Sequence, residues 1–320
     1  MQLIKPDLII LVTGACGRIG TELVRTLRHR HGKASVIATD IRPESIILIT
    51  EGRYKYLDVM DKPALGKFVV NNGVTHIYHL AAMLSAKGEN DSLSAWNTNV
   101  NGLLNVLEIA ATHQVKQVFW PSSIAVFGPA SPRSNCGQDA LPDPASVYGI
   151  SKHAGEYWCR YYYERFGLDV RSLRYPGLIG YSLKAGGDTT DYAAEIFHQA
   201  VEECAYTCFL KGDTSLPMMY MPDAVRAMLE LMDAPLDRVR KVTSYNVAAM
   251  SFTPLELAAE VQTYKPGFRM TCKPDYRQKI ADTWPSSIED RQARQDWGWM
   301  PHYNIFMMTM DMFYNLQPRK

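Results

Sequence analysis

Residues 8–20 read Leu8-Ile9-Ile10-Leu11-Val12-Thr13-Gly14-Ala15-Cys16-Gly17-Arg18-Ile19-Gly20. The first six residues are apolar and stopped by glycine, which is typical of a buried parallel strand. After the last glycine, Leu23, Val24 and Leu27 recur at helical spacing. A strand, a glycine turn and a helix in this order predict a dinucleotide pyrophosphate at the helix N-terminus, against Gly14, Gly17 and Gly20. A glycine triplet also occurs in ordinary turns, so the prediction depends on further landmarks.

The second landmark is a carboxylate at the end of the next predicted strand. Ser35 to Thr39 is apolar and ends at Asp40, about twenty residues beyond the last glycine. A carboxylate there accepts hydrogen bonds from the adenosine ribose and repels a 2′-phosphate, which favours NAD over NADP. Arg42 lies nearby and could accommodate that phosphate. Asp58 ends another predicted strand and could accept a hydrogen bond from the adenine amino group.

The alternation of elements continues to residue 176. Strands are predicted at 54–59, 75–80, 117–123 and 169–175, and helices at 61–70, 93–111 and 148–165. This order predicts an α/β fold, a Rossmann-type doubly wound parallel sheet, over residues 1–176. Residues 177–320 are predicted to form a smaller C-terminal substrate-binding lobe within one compact unit, with possible crossovers back to the sheet. In this lobe a polar loop at 186–191 precedes a helix predicted from Tyr192 to about Cys204.

The sequence Ser146-Val147-Tyr148-Gly149-Ile150-Ser151-Lys152 carries the candidate chemistry. Tyr148 and Lys152 are four residues apart and share one face of a helix, for which Ser146 is a suitable N-cap. An ammonium beside a phenol favours the phenolate, so we expect Lys152 to lower the pKa of Tyr148. Tyr148 is then a candidate general base for an alcohol, although Tyr-x-x-x-Lys also occurs by chance.

Composition limits the class of partner and the compartment. The formal net charge is +1, which gives no electrostatic reason to expect nucleic acid or an anionic membrane. The apolar run before Gly14 is too short to span a bilayer. Six cysteines in 320 residues, without zinc-site spacing, predict reduced thiols and no metal, in the cytoplasm or a mitochondrial matrix.

The chain resembles the extended short-chain dehydrogenase/reductases, an NAD-dependent epimerase/dehydratase-like family. The resemblance covers nearly the full length and rests on the glycine turn, Asp40, Asn99-Val100-Asn101-Gly102, Ser122-Ser123 and the Tyr148/Lys152 pair. Three later stretches look like the short-chain L-threonine 3-dehydrogenases within this family: 174–180, 187–193 and 219–224. Relatives commonly carry three glycines before Thr-Thr-Asp-Tyr, whereas Asp188 stands at the third position here.

This resemblance implies a function and a set of site residues. The implied activity is NAD-dependent oxidation of L-threonine at C3 to 2-amino-3-oxobutanoate by a homodimer with a four-helix interface. The implied catalytic set is Ser123, Tyr148 and Lys152. The implied substrate contacts are Ser85, Ser123, Tyr148, Thr189, Thr190 and Trp284. The cofactor contacts, including the glycines and carboxylates above, are Gly14, Gly17, Arg18, Ile19, Gly20, Asp40, Asp58, Val59, Leu80, Ala81, Ala82, Asn99, Tyr148, Lys152, Tyr175 and Pro176.

Two other functions remain open at this point. A nucleotide-sugar epimerase or dehydratase uses the same cofactor fold and the same Ser-Tyr-Lys set, but keeps NAD bound and needs a groove for a diphosphate. A non-catalytic NAD(H)-sensing protein would bind the cofactor without turnover and would tolerate loss of the catalytic set, which is present here.

Overall fold

The computed structural model describes residues 8–42, 49–182, 188–240 and 244–316, apart from the side chains of residues 85–87. Its main feature is a seven-stranded parallel sheet with the strand order β10-β6-β5-β4-β1-β2-β3. These strands are β1 (Ile10–Thr13), β2 (Val36–Asp40), β3 (Tyr54–Tyr56), β4 (His76–His79), β5 (Gln117–Ser123), β6 (Asp169–Tyr175) and β10 (Tyr245–Asn246). The doubly wound α/β fold predicted from the sequence is confirmed.

Helices cover both faces of this sheet, as the alternation of strands and helices requires. The helices are α1 (Arg18–His31), α2 (Lys62–Asn72), α3 (Ser85–Asn90), α4 (Ser92–Trp96), α5 (Gly102–Thr112), α6 (Val147–Phe166), α7 (Tyr192–Glu202), α8 (Met221–Asp233), α9 (Pro254–Tyr264), α10 (Tyr276–Ala281), α11 (Arg291–Trp297) and α12 (Ile305–Leu316). Helices α1 and α8 lie on one face, and α2, α5 and α6 lie on the other.

Buried residues of the central strands alternate between these two faces. In β1, Ile10 and Val12 belong to the core under α1 and α8, and Leu11 belongs to the core under α2, α5 and α6. In β5, Val118 and Phe119 divide in the same way. A strand that is apolar on both faces must be covered on both, which explains the continuous apolar runs in the sequence.

The region between β4 and β5 differs from the sequence prediction. Residues 85–90 form α3, and the helix expected at 93–111 consists of α4, a π-helical turn (Asn97–Asn101) and α5. Asp91 begins α4 by accepting a hydrogen bond from the Ser94 amide. Within the π turn, Asn99 is buried and directed toward the ends of two other elements. Extra residues of this kind inside a helix are frequent at functional sites.

The C-terminal half contains two small sheets and one return to the large sheet. Strands β7 (Gly177–Ile179), β9 (Leu216–Tyr220) and β11 (Met250–Phe252) form the first small sheet, and β8 (Ala205–Cys208) pairs with β12 (Arg269–Cys272) in the second. Strand β10 pairs in parallel with β6, so the chain after residue 177 crosses back to the large sheet. The division at residue 176 stays a prediction.

Candidate active site

Gly14 and Gly20 are glycines because the turn after β1 leaves no space for side chains. Gly14 has φ +67°, a left-handed conformation that favours glycine. A Cβ on Gly14 would lie 2.6 Å from the Ala81 nitrogen, and one on Gly20 would lie 2.5 Å from the Gly14 carbonyl oxygen. The turn therefore packs directly against the end of β4.

Gly17 is the N-cap of α1, and its backbone is extended with φ −75° and ψ 175°. No side chain caps this end of the helix, and its first turn contains no acidic residue. Uncapped amide groups at a helix N-terminus attract anions. The glycine cradle and this helix end fit the pyrophosphate of a dinucleotide, with Gly17, Arg18 and Ile19 at its edge.

The Arg18 side chain makes a contact that its sequence position did not indicate. Its guanidinium donates two hydrogen bonds to Asp191, with Nη1–Oδ1 at 2.6 Å and Nη2–Oδ2 at 3.0 Å. Arg18 Nη1 also lies 3.3 Å from Asp188 Oδ2. Arg18 therefore connects the start of the cofactor helix α1 to the segment that carries Thr189 and Thr190.

Asp40 lies at the end of β2 beside the glycine turn. One carboxylate oxygen accepts a hydrogen bond from the Cys16 amide at 2.9 Å, and the other accepts one from the Arg42 amide at 3.1 Å. Each oxygen keeps a second lone pair that can accept a ribose hydroxyl. The Arg42 side chain does not bond Asp40; its Nη1 donates a hydrogen bond to the Cys16 carbonyl.

The remaining predicted cofactor positions follow the ends of β3 and β4. Leu80, Ala81 and Ala82 are half-buried where β4 ends beside Gly14. Asp58 is half-buried, and one of its carboxylate oxygens accepts a hydrogen bond from the Met60 amide. Val59 is buried, and its carbonyl accepts a hydrogen bond from Asn105. Its side chain packs in the core under α2, α5 and α6.

Asn99 connects three parts of the site. Its amide group exchanges hydrogen bonds with both backbone groups of Met83 (2.7 and 3.0 Å), and its Nδ2 also donates to Ser151 Oγ at 3.1 Å. The Ser151 hydroxyl in turn donates to the Tyr148 carbonyl at 2.7 Å. Asn99 was predicted as a cofactor contact; in the structure it aligns the chain after β4 with the first turn of α6.

The first turn of α6 holds the candidate base. Ser146 caps the helix, its Oγ accepting a hydrogen bond from the Gly149 amide at 3.0 Å, as the sequence predicted. Gly149 allows the helix to lie close to the short turn after β5, because a Cβ there would be 2.1 Å from the Ala125 carbonyl. This approach brings Tyr148 close to Ser123, whose hydroxyl acts to lower the pKa of Tyr148. The Ser123 hydroxyl also accepts a hydrogen bond from the Ala125 amide at 3.1 Å.

Lys152 lies beneath the tyrosine, and its ammonium nitrogen is 5.4 Å from the centre of the Tyr148 ring. It is 4.5 Å from the Trp120 ring centre, and Nζ donates to the Pro121 carbonyl at 2.6 Å. Lys152 is almost fully buried, and desolvation lowers its pKa to about 7, although Cys159 and Glu156 oppose this. The structure therefore brings Ser123, Tyr148 and Lys152 together.

The pKa of Tyr148 is raised in this structure, whereas the sequence predicted that Lys152 would lower it. Burial raises the pKa of Tyr148 above that of a free phenol, the Asp188 carboxylate raises it further, and the hydrogen bond with Ser123 lowers it. The Lys152 ammonium is directed to the Pro121 carbonyl, and burial lowers its own pKa to about 7. The spacing of Tyr148 and Lys152 along the helix does not indicate how strongly burial disfavours their charged forms.

Apart from Ser123 and Tyr148, the predicted substrate residues lie on three further segments. Thr189 is buried, and its hydroxyl has no hydrogen-bond partner among the described residues. Thr190 packs against Gly177, where a Cβ would lie 2.6 Å from Thr190 Cγ2. Trp284 is buried near the end of α10. The side chain of Ser85, at the start of α3, lies outside the described residues, as do residues 186–187 of the predicted loop.

Tyr175 and Pro176 are both buried at the end of β6. The Tyr175 hydroxyl donates to the Ala224 carbonyl at 2.7 Å, so its side chain ties β6 to α8. The backbone of this pair remains the part that could contact a cofactor.

Two clusters that support the site have no local sequence signal. The Arg133 guanidinium donates to the Asp282 carbonyl at 2.8 Å and to the Trp284 carbonyl, and so positions Trp284. Behind the catalytic residues, buried Glu156 accepts a hydrogen bond from Ser122 at 2.6 Å and pairs with Arg174 at 2.7 Å. These partners are 18 to 151 residues apart along the chain, so only the fold reveals them.

A Rossmann sheet with an open glycine turn and a Ser-Tyr-Lys cluster at its edge defines a dinucleotide-dependent enzyme. Residues 10–248 match the NAD dependent epimerase/dehydratase family. The chain belongs to this family and is an NAD-dependent oxidoreductase with a Rossmann fold.

Similar proteins cover nearly the whole chain. The mitochondrial L-threonine 3-dehydrogenase of Bos taurus is 44% identical over 315 residues, 97% of this chain and 83% of that protein. An uncharacterized epimerase/dehydratase of Staphylococcus haemolyticus is 43% identical over 302 residues, 94% of this chain and 95% of that protein. The holo form of a GalE-like L-threonine dehydrogenase from Cupriavidus necator gives a TM-score of 0.95 at 50% identity, covering 97% of this chain and 100% of that one.

In the parts of the chain that the structure describes, no helix is both long and apolar enough to cross a bilayer. Over the same residues, no three His, Cys, Asp or Glu side chains are grouped so that they could hold a metal ion.

Proposed function

We propose that this protein oxidises L-threonine at C3 to 2-amino-3-oxobutanoate, with NAD as hydride acceptor. Identity of 44–50% over nearly the full chain with proteins named L-threonine dehydrogenases carries the choice of substrate. The neighbouring side chains of Ser123 and Tyr148, with Lys152 beside them, support the chemistry, because a base and a second hydroxyl can then contact the same substrate alcohol.

In this proposal Tyr148 takes the hydroxyl proton of the substrate. General-base catalysis of this kind contributes about 10²–10⁴-fold to the rate. The Ser123 hydroxyl donates a hydrogen bond to the substrate oxygen as that oxygen gains carbonyl character. NAD, when bound, supplies the hydride acceptor and a positively charged ring. A positive charge near the phenol acts against the desolvation and the Asp188 charge that raise the pKa of Tyr148.

In this proposal Lys152 is a neighbour of Tyr148 that can take up or release a proton near neutral pH. A pKa of about 7 lets it be charged or neutral near neutral pH. Its ammonium is fixed by the Pro121 carbonyl and the Trp120 ring, so it cannot swing away into solvent. The amine is therefore held below the phenol, where it can compensate negative charge on Tyr148.

Thr189 supports recognition of a small zwitterion. A buried hydroxyl without a partner is costly, by about 1–3 kcal/mol, unless a ligand or water satisfies it. A hydroxyl can donate to a carboxylate or accept from an ammonium, and both groups are present in an amino acid. We propose that Thr189 and Thr190, with Ser85, bind the substrate and that Trp284 excludes water from it.

The test is net production of NADH, followed by absorbance, with NAD and a panel of β-hydroxy amino acids. We expect NADH to accumulate with L-threonine and far less with L-serine, which lacks the C4 methyl group. A nucleotide-sugar epimerase would convert UDP-sugars with no net change in NADH. NAD binding without turnover of either substrate class would indicate a non-catalytic NAD(H)-sensing protein.

We also propose a homodimer, based on the solvent-facing side of α6. Ile150, Tyr157, Trp158 and Tyr161 recur at helical spacing and are 37–55% exposed, whereas the opposite side of α6 is buried on the sheet. A continuous exposed apolar stripe is typical of an interface. Light scattering on a sizing column should give twice the 36.1 kDa chain mass, and Tyr157→Glu should reduce it to one chain mass. A wild-type mass of one chain would contradict the dimer.

A further inference from the structure

Cys208 and Cys272 occupy opposing positions in the small β8–β12 sheet. The two strands are parallel, and their register pairs Cys208 with Cys272. Neighbouring strands lie about 4.8 Å apart. Cysteines joined by a disulfide usually have Cα atoms about 4.4–6.8 Å apart, so the backbone separation suits a cross-link.

The preceding pair shows how closely side chains approach across these strands. Thr207 and Thr271 are also register partners, and their hydroxyl oxygens lie 3.2 Å apart. Side chains alternate between faces along a strand. Cys208 and Cys272 therefore point together to the other face, the one on which Tyr206 packs into the core. Two side chains on one face at this spacing are direct neighbours.

The two thiols differ in their access to solvent. Cys272 is exposed, Cys208 is fully buried, and neither is in a disulfide. Burial raises the pKa of Cys208 to about 12, and burial together with Asp213 raises the pKa of Cys272. Few thiolates are present at neutral pH, so the pair reacts slowly and stays reduced without an oxidant.

We propose that Cys208 and Cys272 form a reversible cross-strand disulfide when the protein meets hydrogen peroxide. The exposed Cys272 sulfur attacks a peroxide oxygen: an S–O bond forms, the O–O bond breaks, and the proton of Cys272 leaves with the second oxygen as water. The Cys208 sulfur then attacks Cys272: the S–S bond forms, and the hydroxyl group leaves with the Cys208 proton as a second water. Two thiols lose two electrons, and one peroxide gains them.

The cross-link would act on elements that hold the proposed substrate site. Phe209 follows Cys208, and its ring is 6.3 Å from that of Tyr192, the first residue of α7 after the Thr189–Asp191 segment. Arg277 lies in α10, the helix that precedes Trp284, and its guanidinium carbon is 3.1 Å from the centre of the Phe209 ring. Bonding the Cys208 sulfur to Cys272 reorients the Cys208 side chain next to Phe209, and we expect this to disturb the packing of Phe209. Resting on the proposed function, we expect a several-fold higher KM for L-threonine and an unchanged Kd for NADH.

The formation of the disulfide is tested without any activity measurement. Full-length protein is treated with hydrogen peroxide, and its free thiols are counted before and after addition of dithiothreitol. Wild type should lose two thiols reversibly and give a cross-linked peptide pair, containing Cys208 and Cys272, by mass spectrometry. Cys272→Ser and Cys208→Ala should give no such pair.

Cys204→Ser is the matched control, because Cys204 is exposed on the same segment but lies outside the paired register. This variant should still form the cross-link. Loss of thiols without a Cys208–Cys272 peptide pair in wild type would overturn the proposal. An unchanged KM in cross-linked wild type would overturn only the coupling to the substrate site. Absence of L-threonine turnover in reduced wild type would count against the proposed function and leave the cross-link result unaffected.

Discussion

Replacing Arg18 with glutamine should lower both the free energy of unfolding and the affinity for NADH. The guanidinium holds Asp191 through two hydrogen bonds and lies 3.3 Å from Asp188. Arg18 is 23% exposed and Asp191 is 5% exposed. Exposed ion pairs contribute about 0–1 kcal/mol, and breaking a buried pair costs about 3–5 kcal/mol. Since one partner is buried and the other is partly solvated, we expect a loss of about 1–3 kcal/mol.

The loss of Arg18 also changes the charge at the cofactor turn. Without it, the negative charges of Asp188 and Asp191 lose the nearby positive charge of Arg18 at the N-terminus of α1, where the pyrophosphate is proposed to bind. A penalty of about 1–2 kcal/mol corresponds to roughly a 5- to 30-fold higher Kd for NADH, measured by fluorescence titration. Neither readout requires the enzyme to turn over.

A double-mutant cycle isolates the pair. Arg18→Gln, Asp191→Asn and the double variant are compared by urea unfolding, with wild type as reference. We expect a coupling free energy of about 1–2 kcal/mol, because each single change removes the same interaction. Additive effects, within about 0.5 kcal/mol, together with an unchanged Kd for NADH in Arg18→Gln, would refute this reasoning.

Three other changes test the cofactor turn, the cofactor preference and the base. Gly14→Ala should lower stability by about 2 kcal/mol or more and abolish NADH binding, because its Cβ would overlap Ala81 at a positive φ; normal binding would contradict this. Asp40→Asn should reduce the preference for NAD over NADP by about tenfold in kcat/KM, since it removes the charge that repels a 2′-phosphate; an unchanged ratio would reject that role. Asp188→Asn should move the rising limb of kcat/KM against pH to lower pH, because Tyr148 acts as a base only when deprotonated and the Asp188 charge raises the pKa of Tyr148; a limb that stays or moves upward would show the sign to be wrong.

Local signals in the sequence predicted the elements that hold the site. The bounds of β5 and β6 match the predicted strands. Ser146 caps α6 as predicted, since capping depends on residues three positions apart. Asp40 ends β2 beside the glycine turn because parallel strands bring their carboxyl ends to one edge.

The features that the sequence did not predict depend on contacts between residues far apart in the chain and on burial. Residues 93–111 have one helical period, yet Asn99 turns inward to Met83 and Ser151 and the helix gains a π turn. The Arg18–Asp191 bridge joins residues 173 positions apart, and a glycine-turn arginine carries no pattern that names its partner. The charge state of Lys152 depends on burial, which spacing along a helix does not report.

The central claim is that Tyr148 is the base that starts oxidation of a bound amino-acid alcohol, and Tyr148→Phe tests it most directly. The variant keeps the ring that packs above Lys152 and loses only the hydroxyl. With NAD and L-threonine, kcat should fall by about 10²–10⁴-fold while the Kd for NADH changes less than about twofold. A kcat within a few-fold of wild type, at unchanged NADH affinity, would contradict the claim.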